Sequence, residues 1–77
     1  MDLQDFTAKF ADLFDETLAN EITVSTNFRD LGEWSSLIGL STIVMIEDEY
    51  GITVKGDDIR NSKTVEDLFN AVKRYKS

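Results

Sequence analysis

The chain has 77 residues, 42% of them hydrophobic, with no cysteine, no histidine and a formal net charge of −7. That length holds one domain, taken as residues 1–77, and the missing residue types exclude disulfides, an ordinary zinc site and any Ser–His–Asp or Cys–His machinery. The acidic field disfavours nucleic-acid backbones and anionic lipid surfaces and attracts basic protein surfaces, although an acidic balance also serves solubility alone.

In chain order, residues 3–18 carry Leu3, Phe6, Phe10, Leu13 and Leu18 at helical intervals. Phe14 and Thr17 lie beside that stripe, and Asp5, Lys9, Asp12 and Glu16 fall off it. The spacing predicts a first amphipathic helix. Residues 20–35 break the pattern: Asn20, Ile22-Thr23-Val24, Ser25-Thr26-Asn27, Asp30 and Gly32 read as a long loop. Ile22, Val24, Phe28 and Leu31 are its expected anchors, and no second strand is present to pair with 22–24. Residues 36–50 predict a second helix with Leu37, Leu40, Ile43, Ile46 and Tyr50 on one stripe, widened by Ile38, Val44 and Met45. Ser35 and Ser36 stand at its capping end, and Gly51 at its close.

Ile52-Thr53-Val54 reads as an extended link and Asp57-Asp58-Ile59-Arg60 as a single helical turn. Thr64-Val65-Glu66-Asp67 is a capping-box variant with Asp67 in place of the usual Glu or Gln. It opens a last helix with Val65, Leu68, Phe69, Val72 and Tyr75 on its apolar side. Lys73, Arg74 and Lys76 sit near the end, where the helix dipole favours cations. The expected fold is all-α: a small bundle of three main helices plus one short helix, with a long first loop. Residues 1–50 hold eleven acids against Lys9 and Arg29, a net of −9, whereas residues 51–77 hold four acids against six bases, a net of +2. No run approaches the roughly 18 apolar residues of a membrane span. The start Met1-Asp2-Leu3-Gln4-Asp5 has no export signature, so a cytoplasmic protein is expected.

One stretch stands apart: Asp30-Leu31-Gly32-Glu33-Trp34-Ser35-Ser36-Leu37, a turn into a helix with hydroxyls at its mouth beside the only tryptophan. A helix N-terminus presents unpaired amides and partial positive charge, which suits a phosphodiester on a serine. The same position equally suits a plain cap.

Over essentially its full length the chain resembles the acyl carrier proteins. The matching runs are Phe28-Arg29-Asp30-Leu31-Gly32-Glu33-Trp34-Ser35-Ser36-Leu37, then Val44-Met45-Ile46-Glu47-Asp48-Glu49-Tyr50-Gly51-Ile52, and Lys63-Thr64-Val65-Glu66-Asp67-Leu68. They are similar to the family's Gly-x-Asp-Ser-Leu turn, its acidic and aromatic-glycine helix end, and its Thr-Val-x-Asp helix start. The resemblance implies a carrier rather than an enzyme. It implies that a phosphopantetheinyl transferase attaches phosphopantetheine from coenzyme A to Ser36, the serine directly before Leu37. It also implies acyl cargo held as thioesters, and partner ligases or synthases with basic docking surfaces. A monomer that binds no nucleic acid and inserts in no membrane is expected.

There are departures from the family pattern. Ser35 stands where the family usually has Asp, and one extra residue separates Gly32 from the serine, as in carriers with a Trp-Asp-Ser-Leu turn. The family places acids early in the following helix; here Ile38 and Ser41 hold those positions, and the acids come late, at Glu47, Asp48 and Glu49. Leu40 and Val44 match partner-contacting positions. The expected docking set is Leu37, Ile38, Leu40, Val44, Glu47 and Asp48, with core packing of Ile38, Leu40 and Val44 as the competing reading. Fatty-acid, polyketide and specialised pathways all remain open, as do an aminoacyl or D-alanyl carrier and an unmodified helical interaction module. The missing aspartate and the late acids lean toward a dedicated carrier.

Overall fold

The computed structural model describes residues 2–76, with Lys76 as backbone only, so the expected placement of the Lys76 side chain lies outside the described residues. Four helices follow one another: α1 (Leu3–Ala11), α2 (Ser36–Tyr50), α3 (Gly56–Arg60) and α4 (Val65–Lys76). Single 3₁₀ turns at Ala19–Glu21 and Phe28–Asp30 punctuate the first connection. Among the described residues there is no strand, only one bridge between Asn27 and Thr64. The expected bundle of three main helices, one short helix and a long first connection is what forms.

α1 opens on Asp2, whose carboxylate accepts from the Gln4 amide at 3.3 Å, and it buries Phe6, Phe10 and Ala11. It stops at Ala11, not at residue 18 as the periodicity predicts. The next amides tighten first: Leu13 N donates to Phe10 O and Phe14 N to Ala11 O, each at 3.1 Å, three residues back rather than four. The amides of Asp15, Glu16 and Thr17 then all donate to the Glu33 carboxylate. A helix cannot continue once those donors leave the carbonyls of the preceding turn. Phe14 stays in the core against the Phe10 ring at 5.3 Å. Leu18, expected on the buried stripe, is exposed.

The long connection is fastened through Ile22 and Phe28, both buried, and through the half-buried Leu31. Val24 differs from expectation. Its side chain does not join the core cluster, and its carbonyl instead accepts from the Glu66 amide at 2.9 Å. Phe28 meets Phe10 edge-on at 5.5 Å, and the Arg29 guanidinium donates to the Ile59 carbonyl at 2.7 Å. The loop is thereby tied to both α1 and α3.

α2 has the expected bounds because both caps are local. The Ser35 hydroxyl accepts from the Ile38 amide at 3.3 Å. Gly51 closes the helix at φ 67°, with its amide on Glu47 O at 2.9 Å. The buried face is Thr42, Met45 and Ile46, with Ile38, Ile43 and Tyr50 packed partly against the core. The stripe expected to run through Leu37 and Leu40 is corrected: both lie in solvent. From 37 to 46 the helix is apolar nearly all round, so period alone could not select its inner side. Thr42 is fully buried because its hydroxyl donates to Ile38 O at 2.8 Å.

Ile52 and Val54 are buried on either side of exposed Thr53, as an extended link requires. The Thr64–Asp67 capping box forms in both directions, each bond at 3.1 Å, and α4 buries Val65, Leu68, Phe69 and Val72. Tyr75 is exposed rather than in the apolar face, and its hydroxyl donates to Asp58 at 2.5 Å. Lys9 joins α1 to α2, 2.7 Å from Asp5 and 3.3 Å from Glu49. The Asp5 carboxylate holds that ammonium well above its ordinary range, despite some desolvation.

Candidate functional site

The site begins with the turn that feeds α2. Trp34 N donates to Leu31 O at 3.0 Å and closes it. The indole packs against Phe28 at 4.8 Å and Phe10 at 6.5 Å between centroids, and it lies over the first turn of α2 at Gly39. Glu33, one residue earlier, fastens the turn on its polar side. Its Oε2 accepts from Asp15 N at 2.6 Å. Its Oε1 accepts from Glu16 N at 3.0 Å, Thr17 N at 2.8 Å and Thr17 Oγ1 at 2.9 Å. Burial pushes the Glu33 carboxyl up, but those four donors outweigh it and hold the group below its ordinary value.

The two serines at the mouth of the helix have different surroundings. Ser35 is the cap, its hydroxyl engaged by Ile38 N. Ser36 is the first helical residue and is exposed. Among the described residues no group hydrogen-bonds its hydroxyl. The ladder starts with Gly39 N on Ser35 O at 3.0 Å, which leaves the amides of Ser36 and Leu37 without helical acceptors. The first turn of α2 contains no acid, so no side chain there offsets the positive end of the dipole. A phosphodiester on Ser36 fits these surroundings: an accessible oxygen, free amides and no opposing carboxylate in that turn.

Beyond Ser36, one side of α2 is apolar and open. Leu37 is 70% exposed, Leu40 58% and Val44 52%. Glu47 and Asp48 continue the same side, also exposed, with Glu47 accepting from the Thr53 hydroxyl at 3.0 Å. Ile38 parts from this group, since it is half-buried and packed against the core. Leu13 enters where sequence reasoning had placed only core. With Leu40, Ser41, Val44, Met45, Asp48 and Glu49 it lines a shallow groove beside α2. Glu33 was also missed as a functional candidate, and no local pattern marks it, because its partners lie 16 to 18 residues earlier. Among the described residues no cluster is arranged to hold a metal ion, and no helix is long and apolar enough to cross a membrane.

Compared with known proteins, residues 4–72 match a family model described as the phosphopantetheine attachment site. No curated protein and no solved structure gives a significant match.

Proposed function

The chain belongs to the phosphopantetheine attachment-site family, non-catalytic carriers that hold this group covalently, and on that premise we propose that Ser36 bears the group. The observation that carries the assignment is the contrast between the neighbouring serines: Ser35 spends its hydroxyl on the cap, while Ser36 keeps an exposed oxygen beside free amides. When bound, the arm supplies a thiol that holds an acyl group as a thioester. The protein's own residues hold and present. The rigid first turn of α2 fixes Ser36, the amides of Ser36 and Leu37 stabilise phosphodiester charge, and Trp34 pins the turn against Phe28.

The cargo is proposed to be an acyl intermediate of a dedicated pathway. The support is the open Leu37–Leu40–Val44 side with its acids displaced to Glu47 and Asp48, an arrangement suited to a partner with an apolar centre and a basic rim. Docking must be brief, since one carrier serves several enzymes, and a small interface of individually weak charge pairs allows that. An unmodified interaction module is set aside by the family match.

Intact mass before and after incubation with coenzyme A and phosphopantetheinyl transferases tests the assignment. The wild type and Ser35→Ala are expected to gain one phosphopantetheine group and Ser36→Ala none. A gain retained in Ser36→Ala would move the site elsewhere.

A further inference from the structure

We infer that Glu33 is a positioning residue for transfer of the prosthetic group to Ser36, acting as a carboxylate clamp between the attachment turn and residues 15–17; this rests on the reading of Ser36 as the attachment residue. Three consecutive amides and one hydroxyl converge on a single side chain. Its chain neighbours in that contact are Asp15 and Glu16, themselves acids, so attraction between side-chain charges cannot explain the placement. The amides explain it. They come from a stretch that has left α1 and has no helix in which to use them.

The consequence reaches Ser36 through the turn. Residues 31–35 deliver the chain into α2 and are held by the Trp34 packing, the Ser35 cap and the Glu33 clamp. The clamp joins the turn to the segment that follows α1. Leu13, in that same segment, shares a groove with Leu40 and Val44. Glu33 therefore ties the turn that delivers Ser36 to the segment that borders the exposed side of α2. Released, both loops must be ordered each time an enzyme docks, and that cost falls on binding before chemistry. A glutamine has the same shape but presents an NH₂ where a second acceptor is needed, so it must abandon at least one donor.

The transfer joins Ser36 Oγ to the phosphorus of the phosphopantetheine half of coenzyme A. It breaks the pyrophosphate bond, releases the adenosine bisphosphate half, and passes the hydroxyl proton to a base on the transferase. None of these atoms belongs to Glu33, so its effect is expected in KM more than in kcat.

The test measures KM and kcat of a phosphopantetheinyl transferase for the wild type, Glu33→Gln and Thr17→Val, with coenzyme A as donor. It is run where all three show the same far-ultraviolet circular dichroism, alongside amide hydrogen exchange. Glu33→Gln is expected to raise KM on the order of tenfold, with a smaller change in kcat and faster exchange at Asp15, Glu16 and Thr17. Thr17→Val, which removes only the hydroxyl donor, is expected to shift KM less and in the same direction. Faster exchange with an unchanged KM makes the clamp merely structural and overturns the inference; unchanged exchange in Glu33→Gln overturns it as well. Should Glu33→Gln fail to fold, Thr17→Val decides by the same two readouts. If the wild type gains no mass, or Ser36→Ala gains it too, the attachment reading fails instead, in a comparison that leaves Glu33 untouched.

Discussion

At the scale of single residues, several carboxylates are bonded to backbone amides rather than to cations, and this sets the acid sensitivity of the fold. Glu33 is desolvated but held below its ordinary value by the amides of Asp15, Thr17 and Glu16 and by the Thr17 hydroxyl. Asp67 is held down by the Thr64 and Lys63 amides of the capping box. Asp58 is lowered first by the Tyr75 hydroxyl, against some burial. Each has a folded value below its unfolded one, so the ionised form favours the folded state at every pH above the ordinary carboxylate range near ~4. That contribution is lost as pH falls through the depressed folded values. Thermal melts from about pH 6 down to about pH 2 are accordingly expected to show a falling Tm. Glu33→Gln should start from a lower Tm at neutral pH and lose less of it on acidification. A parallel fall in both proteins would deny Glu33 its share.

At the scale of elements, α2 carries two glycines with opposite demands. Gly51 ends the helix at φ 67°, where an L side chain is strained. Gly51→Ala is expected to cost about 1 kcal/mol, which lowers Tm by about 4–8 °C in a domain this small. Gly39 lies inside the helix, and a Cβ there would meet the Trp34 ring at 3.6 Å, an ordinary contact. Gly39→Ala is therefore expected to stabilise by about 0.5–1 kcal/mol, since alanine loses less backbone freedom in a helix. Paired melts of the two variants check both signs. α1 illustrates the opposite dependence: its apolar period runs on past Ala11, yet the chain tightens at Leu13 and Phe14 and a distant carboxylate then takes the amides of Asp15, Glu16 and Thr17.

At the scale of the whole molecule, charge is divided along the chain, net −9 up to residue 50 and +2 after it. The exposed side of α2 belongs to the acidic part. A basic partner surface should be steered toward it, and that steering should weaken with salt. Transferase KM is expected to rise several-fold between about 0.05 M and 0.5 M salt, as the screening length contracts from well above 10 Å to below it. Leu40→Asp and Val44→Asp place a charge on side chains already more than half exposed. They should leave the melt within about 0.5 kcal/mol of wild type while weakening transferase binding. Unaltered binding in both variants would remove this side from the docking surface. Ile38→Asp is a poorer probe, because Ile38 packs against the core and its loss would perturb the fold as well.

The features legible in the sequence were those whose physics is local. The bounds of α2, the Gly51 stop, the Thr64–Asp67 box and the inward Val65, Leu68, Phe69 and Val72 each depend on residues within a turn or two of one another. Composition alone removed histidine and cysteine chemistry, and the order of short motifs pointed to the carrier family. Three matters needed the folded chain. Glu33 gathers the amides of the stretch beyond α1 from 16 to 18 residues away, and no periodicity carries information about such a partner. A helix apolar on nearly every side has no intrinsic inside, so only its packing decided that Thr42, Met45 and Ile46 go in while Leu37, Leu40 and Val44 stay out. The position before Leu37 already favoured Ser36 over Ser35, and the folded chain adds a physical difference between them: the Ser35 hydroxyl meets the Ile38 amide and the Ser36 hydroxyl, among the described residues, meets no partner.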